Sequence, residues 1–388
     1  MLSKPPSSAQ FIFSDRYRKH SYGANHPLGI PRVSLTYDLI QAFNAITDSE
    51  VINSRQASID ELIAFHTPEY LQAMQKSEDQ NKITDSYRKK HNIGNFENPY
   101  FPGFFTTPAT ATGGSIQAAE AVLKGNIGFS PAGGMHHSMP DRANGFCFLN
   151  DPVMAINHLL NAGLSVLYVD IDAHHGDGVE FAYRHNPEVS TFSLHMDTGY
   201  AYPFKGGEIE CTGEYSNAIN LPLPKKTNDS EYEWAFSKVW EKILSHVEFD
   251  AVVLQAGTDI LNPDPLGKFQ ISTQQFLKTV ETIKSSIPSS ENAVSRLAVL
   301  GGGGYHPLSL SRCWLGVWAI LSNRQLPEQL PQAAIELLRN IDWDMDEDED
   351  YYPKFFQTRL DDAYRNGIRD EIKIRVEHLL KIHPRLNG

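Results

Sequence analysis

The fold is decided by residues 166–177, which read Val166-Leu167-Tyr168-Val169-Asp170-Ile171-Asp172-Ala173-His174-His175-Gly176-Asp177. An apolar, β-branched run ends here in carboxylates and imidazoles. Such a run predicts a buried parallel strand, and open α/β sheets bind their ligands at the carboxyl ends of their strands. Asp172 and His174 are two positions apart, so their side chains leave the same face of an extended backbone. This pairing predicts two ligands of a catalytic metal site, whereas the simpler alternative is an aspartate that caps the next helix.

Strand-like and helix-like segments alternate along the rest of the chain. Strands are predicted over 10–14, 127–130, 189–194, 251–255 and 297–300, and helices over 31–45, 58–75, 109–124, 151–162, 178–185, 231–247, 274–286 and 309–321. This alternation predicts an α/β fold with a mostly parallel central sheet and helices on both faces. Residues 77–105 and 197–217 are predicted to be long surface loops. We find neither a repeat nor a linker and predict a single domain over 1–388, with a motif-bearing core over about 10–325 and a helical extension over about 326–388.

Composition and charge exclude several classes of function. The 388 residues are 21% charged and 41% hydrophobic, as in ordinary globular proteins, and the net charge of −13 argues against direct nucleic-acid binding. The negative charge does not exclude a basic peptide as a partner, because acidic residues at the rim of a binding site attract cationic substrates. The three cysteines lack metal-site spacing, and neither a signal peptide nor a membrane-spanning run is found, so we predict a cytoplasmic protein. The acidic run 342–350 is interpreted as a solvated loop, with a partner site as the alternative.

Polar residues follow three further predicted strands, at 133–137, 257–259 and 301–306. Because the carboxyl ends of parallel strands share one edge, these segments are expected to converge with the central one. Asp172, His174 and Asp259 then form a candidate metal site for zinc, iron or another divalent transition ion, with positions open for water and substrate. Asp259 alone would equally suit a helix cap.

Two adjacent histidines and a glycine-flanked tyrosine are candidate catalytic groups. His136 and His137 follow a Gly-Gly turn and are suited to act as a general base and an electrostatic partner, with Asp170 and Asp177 as orienting carboxylates. Four glycines precede Tyr305 and permit a close approach to substrate, so the tyrosine hydroxyl could donate to an oxyanion. The alternatives are an incidental histidine pair and a tyrosine of the core.

Together these motifs resemble the zinc-dependent histone deacetylase family, which includes bacterial acetoin-utilisation proteins and acetylpolyamine amidohydrolases. The resemblance rests on Gly133–Asp151, Asp170–Gly178, Ser193–His195, Gly257–Asp259 and Gly301–Tyr305, in family order. It implies the three-layer arginase–deacetylase fold. The resemblance implies that the metal ligands are Asp172, His174 and Asp259. It implies that His137, paired with Asp177, is the general base and acid, and that His136, paired with Asp170, stabilises the transition state. The Tyr305 hydroxyl is expected to hydrogen-bond the substrate carbonyl oxygen.

The resemblance also implies a substrate channel and a second ion. The channel residues are Glu97, Gly145, Phe146, Tyr202 and Gly303, and a structural potassium ion is expected near Asp170, Asp172, His174, Ser193 and Leu194. Glu97 stands where many members carry Asp, which puts peptide recognition in doubt, and Tyr202 replaces a usual Phe. Tyr305 is retained where a weakly active subgroup has His, and this favours deacetylase activity.

The activity implied is hydrolysis of the acetamide of acetyl-lysine in proteins or peptides, and the resemblance implies no membrane partner. Acetylpolyamines or other small acetylated amines are alternative substrates of the same mechanism. A ureohydrolase with two metals is disfavoured because Gly176 stands where a bridging carboxylate is needed. A binding protein without turnover is a third alternative, and the oligomeric state is left open.

Overall fold

The computed structural model describes residues 8–19, 22–23, 25–290, 294–343 and 352–387. At its centre lies an eight-stranded sheet in the order β2-β1-β3-β8-β7-β4-β5-β6, in which every neighbouring pair is parallel. The strands are β1 (Ala9–Phe13), β2 (Val51–Asn53), β3 (Ile127–Ser130), β4 (Val166–Asp170), β5 (Val189–Met196), β6 (Ala218–Leu223), β7 (Ala251–Gln255) and β8 (Leu297–Leu300). The predicted parallel sheet is therefore confirmed.

Helices cover both faces of this sheet. They are α1 (Arg32–Ala42), α2 (Ile59–Leu62), α3 (Pro68–Asp79), α4 (Asp85–His91), α5 (Thr106–Leu123), α6 (Asp151–Asn161), α7 (Asp177–Tyr183), α8 (Asp229–His246), α9 (Thr273–Ser286), α10 (Pro307–Leu321), α11 (Gln332–Arg339), α12 (Tyr352–Phe355) and α13 (Asp370–Ile382). The layers follow from the period-two alternation of the strands. Leu167 and Val169 of β4 pack into a core with α8, α9 and α10, whereas Tyr168 packs into the opposite core with α5 and α6.

Local sequence explains where several helices begin. Asn228 accepts hydrogen bonds from the Ser230 and Glu231 amides, and the Glu231 carboxylate accepts one from the Asn228 amide, so that a capping box starts α8. Asn150 caps α6 by accepting a hydrogen bond from the Val153 amide. The Asn150 cap places the first turn of α6 directly after the segment that carries His136 and His137.

Two predictions about secondary structure are wrong, and two strands were missed. Residues 58–75 form two helices, because Pro68 occupies the first turn of a new helix that Thr67 caps. Residues 77–105 contain α4 and are not a surface loop, since Phe101 and Phe104 are buried. The edge strands β2 and β6 were not predicted. β2 spans three residues and β6 contains Pro222, so neither shows a strong strand pattern.

The remaining loops and the C-terminal segment match expectation more closely. The stretch 197–217, which is fully described, contains no helix or strand, as predicted. Within 326–388 lie α11, α12 and α13, and α13 packs against α8 and β6. The buried Arg312 guanidinium of α10 contacts Asp361 at 2.7 Å, which ties this segment to the sheet-bearing part of the chain. Of the acidic run, residues 344–350 lie outside the described residues.

Candidate active site

The loops that follow β3, β4, β7 and β8 meet at the carboxyl edge of the sheet, as predicted. Gly134, with a φ of +89°, lies so close to the glycine loop that an added Cβ would be 2.5 Å from the Gly302 amide nitrogen. The Gly303 amide donates a hydrogen bond of 2.7 Å to Asp172 Oδ2. The glycines are thus needed for the loops to approach each other, and the polar residues they carry converge on one site.

Asp172, His174 and Asp259 form a compact group of possible metal ligands. One ligand atom from each lies within 4.8 Å of the others, and all three residues are buried. His174 Nδ1 is 2.9 Å from Asp259 Oδ2 and 3.2 Å from Asp172 Oδ1. Burial lowers the pKa of His174, but the Asp259 and Asp172 carboxylates outweigh this effect and raise it to about 10. Burial and the Asp172 charge raise the pKa of Asp259 to about 7. Two carboxylates this close disfavour each other's charged form, and a cation between them would offset that repulsion.

The surroundings of this triad fit a divalent cation. Asp172 Oδ2 accepts hydrogen bonds from Gln255 Nε2 at 2.7 Å and from the Gly303 amide, and Asp259 Oδ1 accepts one from the Ala173 amide at 2.8 Å. Asp172 Oδ1 accepts a further hydrogen bond of 2.9 Å from the His174 amide, and Asp172 Oδ1 and Asp259 Oδ2 are the two oxygens that face His174 Nδ1. Such outer contacts orient metal ligands, and a set of two carboxylates and an imidazole suits zinc or iron.

The two adjacent histidines differ in charge. His136 Nδ1 contacts Asp170 Oδ2 and His137 Nδ1 contacts Asp177 Oδ1, each at 2.7 Å, and the two Nε2 atoms are 3.0 Å apart. Against the effect of burial, the Asp170 and Asp172 carboxylates raise the pKa of His136 to about 9. Burial, together with the charges of His136 and His174, holds the pKa of His137 well below its usual range. These opposite pKa shifts indicate that His136 is protonated and that the adjacent His137 is neutral.

Tyr305 lies at the boundary between the metal triad and the open cavity. Its amide donates a hydrogen bond of 2.7 Å to Asp264 Oδ2, and its ring is 6.0 Å from that of Phe146. Burial and the Asp259 and Asp172 charges hold the pKa of the phenol well above its usual value. The hydroxyl therefore stays protonated and is able to donate a hydrogen bond.

An open cavity of about 520 Å³ leads from the surface to these groups. Gly145, Phe146 and Tyr202 line it, and the Tyr202 ring packs against the His137 ring at 4.7 Å. Glu97 lines it too, and its Oε1 accepts a hydrogen bond of 2.7 Å from the Gly145 amide. An added Cβ at Gly145 would approach His137 and Tyr202 to within 2.6 Å, so only glycine fits there.

The predicted residues for a monovalent cation are neighbours in the structure. Asp170 of β4 pairs in register with Ser193 of β5, and Leu194 follows. Asp172 and His174 come directly after β4. Ser193 Oγ lies 2.8 Å from His195 Nδ1. Asp170, Asp172, His174, Ser193 and Leu194 therefore lie close together, behind the metal triad.

Several residues of the site were missed in the sequence. Gln255 contacts Asp172, and Arg32 Nη1 donates to the Gly302 carbonyl at 2.7 Å. Asp151 accepts hydrogen bonds of 2.8 Å from both the Gly134 and Met135 amides, and burial raises its pKa to about 6. Asp264 holds Tyr305 as described above. The signal for Gln255 was present, because a polar side chain ends an otherwise apolar strand at the edge where the site lies.

Fold and site together define the class: α/β proteins of the arginase–deacetylase fold, with a buried Asp-His-Asp group at the carboxyl edge of the sheet that could hold a metal ion. A family model described as a histone deacetylase domain matches residues 26–321, and the chain belongs to the histone deacetylase family, which confirms the resemblance. It is 34% identical over 318 residues to human histone deacetylase 1 and covers 64% of that protein with 80% of its own length. It is 32% identical over 334 residues to the acetoin utilization protein AcuC of Bacillus subtilis, covering 84% of that protein and 82% of this chain.

Two solved structures agree with this assignment. A crystal structure of an HDAC homolog complexed with SAHA superimposes with a TM-score of 0.90 at 40% identity, covering 96% of this chain and 99% of that one. A crystal structure of an HDAC homolog from Aquifex aeolicus gives a TM-score of 0.90 at 39% identity, with the same coverage. Among the described residues, no helix has both the length and the apolar character needed to cross a membrane.

Proposed function

We propose that this chain is a zinc-dependent deacetylase that hydrolyses the acetamide of acetyl-lysine in proteins or peptides. The observation that carries the proposal is the shared cavity. His137, His174 and Tyr305 line one open cavity, and Asp172 and Asp259 lie directly beneath it. A metal site, a neutral base and a hydroxyl donor around one opening are the groups that amide hydrolysis needs.

A zinc or iron ion held by Asp172, His174 and Asp259 would polarise the acetyl carbonyl and activate a water molecule. We assign the role of base to His137, because Asp177 contacts its Nδ1 at 2.7 Å, so that its Nε2, which lies 3.0 Å from His136 Nε2, would accept a proton from a water molecule in the cavity. The same proton then passes to the lysine nitrogen as the C–N bond breaks and acetate leaves. Protonated His136 and the Tyr305 hydroxyl stabilise the negative charge that develops on the carbonyl oxygen.

The channel fits the aliphatic stem of an acyl-lysine. Phe146 and Tyr202 provide aromatic walls on either side of the opening, and Gly145 leaves room between them. We include in the proposal a structural potassium ion near Asp170, Asp172, His174, Ser193 and Leu194. The position of these residues behind the triad supports it, since a cation there would offset the buried carboxylates.

A second candidate is hydrolysis of acetylpolyamines or other small acetylated amines. It is favoured by Glu97, whose carboxylate lines the opening and could attract an ammonium group. A two-metal ureohydrolase receives no such support, because Gly176 offers no bridging carboxylate and the described residues contain one candidate metal group. We also keep as proposals a single-domain organisation and a cytoplasmic location, the latter supported by three free cysteines.

A substrate panel tests the proposal. Protein loaded with zinc or with iron is given acetyl-lysine peptides, acetylpolyamines and free acetyl-lysine, each with and without a chelator. We expect the peptides to be hydrolysed with the highest kcat/KM and the chelator to abolish turnover. A higher kcat/KM for acetylpolyamines would favour the second candidate. Tight peptide binding without release of acetate from the metal-loaded protein would show a binding protein.

A further inference from the structure

Two lysines lie on one wall of the cavity mouth. Lys225 follows β6 and Lys268 follows β7, and both line the same cavity as Tyr202 and Tyr305. Both side chains are exposed. They were not singled out in the sequence, because they come from loops that are far apart along the chain and meet only at this opening.

These two ammonium groups are held in place without an acidic partner. Lys225 Nζ lies 4.4 Å from the centroid of the Tyr200 ring, and Lys268 Nζ donates a hydrogen bond of 2.8 Å to the Pro265 carbonyl. Neither forms an ion pair within the part of the chain that the structure describes. A ring face and a carbonyl oxygen attract an ammonium group but carry no formal charge that would offset that of the lysine.

Three acidic residues on the segments around these lysines are engaged elsewhere. Glu231 makes two hydrogen bonds to the Arg369 guanidinium, of 2.5 and 2.8 Å, and Asp197 contacts Arg375 at 2.8 Å. The buried Asp264 carboxylate accepts hydrogen bonds from backbone amides, including that of Tyr305. None of these carboxylates is left to neutralise the lysines.

The lining of the cavity also includes one carboxylate, that of Glu97. Its Oε1 accepts a hydrogen bond from the Gly145 amide and its Oε2 one of 3.3 Å from Asn92 Nδ2. Apart from histidines and tyrosines, the ionisable side chains that line this cavity are one carboxylate, Glu97, and two amines, Lys225 and Lys268. The mouth is therefore net positive although the whole chain has a net charge of −13.

Substrates differ in the charge that they bring to this mouth. An acyl-lysine whose stem fills the channel leaves its backbone and the flanking side chains beside the lysines, whereas an acetylpolyamine leaves further ammonium groups there. Resting on the deacetylase activity proposed above, we propose that Lys225 and Lys268 are specificity-determining residues. They favour acyl-lysine peptides with Asp or Glu beside the acyl-lysine, and they disfavour acetylpolyamines and peptides flanked by Lys or Arg.

The test uses the full-length, zinc-loaded chain and three acetyl-lysine peptides that differ only in flanking residues: Asp, Ala or Arg. At low salt we expect kcat/KM for the Asp peptide to exceed that for the Ala peptide about 3- to 10-fold, as exposed charges allow. The ratio should fall toward one at 1 M salt, where the screening length is about 3 Å. It should also fall to about one when Lys225→Gln and Lys268→Gln are combined.

The control is Lys238→Gln, which removes an exposed lysine of α8 that does not line the cavity. It should keep the wild-type ratio. Equal rates for the three peptides, or a preference for Asp that survives the double substitution, would overturn the proposal. Calorimetric binding of the same peptides to the Tyr305→Phe protein should give the same order of affinities. The order of affinities tests the role of Lys225 and Lys268 even if no peptide is hydrolysed. Absence of hydrolysis by the zinc-loaded wild-type protein would refute the deacetylase activity and not the role of the lysines.

Discussion

The floor of the site and its mouth are built in opposite ways. The floor comprises Asp170, Asp172, His174, Asp177, Asp259, His136 and His137, which are almost entirely buried and are fixed by strand ends and short hydrogen bonds. The mouth comprises Glu97, Lys225 and Lys268, which lie on loops and are at least partly exposed. Charges interact strongly where water is excluded and weakly where it is not. Changes in the floor should therefore alter the rate by orders of magnitude, and changes in the mouth only a few-fold.

The largest effect is expected from a metal ligand. Asp259→Asn removes one of the two carboxylates of the triad, so the affinity for zinc should fall by at least about 100-fold, beyond what loss of an outer contact causes. Metal content after dialysis and the rate of acetyl-lysine hydrolysis would both be measured. Asp60→Asn, at an exposed position of α2, is the matched control and should change neither. Full zinc retention in the Asp259→Asn protein would contradict the assigned ligand set.

The next largest effect is expected at Tyr305. Tyr305→Phe removes only the hydroxyl, and kcat should fall roughly 10²–10³-fold if that hydroxyl acts as an oxyanion donor. Zinc content should be unchanged, because Tyr305 is not a ligand. Tyr202→Phe removes a hydroxyl from the channel wall and should change kcat less than about fivefold. An undiminished rate in the zinc-loaded Tyr305→Phe protein would remove this residue from the mechanism.

The pH dependence of kcat/KM tests the difference in charge between the histidines. His137 must be neutral to accept a proton, and its pKa is held well below the ordinary 6.5 by burial and by neighbouring positive charge. The neutral form therefore persists as the pH falls through 6.5, and a nearby divalent cation shifts its pKa in the same direction. We expect the acidic limb of the profile to have its midpoint below pH 6.5. A midpoint above that value would indicate that another group serves as the base.

The smallest effect is expected at Glu97. Glu97→Gln keeps an oxygen to accept the Gly145 hydrogen bond but removes the charge, so kcat/KM for a neutral acetyl-lysine peptide should change by less than about fivefold. The value for an acetylpolyamine should fall further, because its ammonium groups lose the one carboxylate of the mouth. A loss of 100-fold or more with the neutral peptide would show that the mouth, like the floor, acts through buried charge.

The floor could be predicted from the sequence because its residues are tied to strand ends. The apolar run of β4 predicts a buried strand. The spacing of Asp172 and His174 predicts that their side chains leave the same face of the backbone. Asp259 follows from the rule that parallel strands share an edge. Gln255 could have been found by the same rule, since it ends β7. Asp151 could not, because its hydrogen bonds to the Gly134 and Met135 amides depend on how a long loop folds back.

The mouth and its surroundings could not be predicted in this way. Lys225 and Lys268 meet only through the tertiary fold, and no local pattern marks them. Residues 77–105 read as a polar loop, yet Phe104 and Phe148, which are distant in sequence, pack edge to face at 5.4 Å. The Asn, Pro and Gly residues of this stretch predicted a surface loop, but the long-range packing of Phe104 buries part of it. β6 was missed because it contains Pro222, which an edge strand tolerates.

The central claim is that one divalent ion held by Asp172, His174 and Asp259 supports amide hydrolysis beside His137 and Tyr305. It is tested most directly by titrating the metal-stripped protein with zinc while acetate release from an acetyl-lysine peptide and bound metal are measured together. We expect no release from the stripped protein and a linear rise in rate that ends at one zinc per chain. Undiminished release from the stripped protein, or a requirement for two ions per chain, would contradict it.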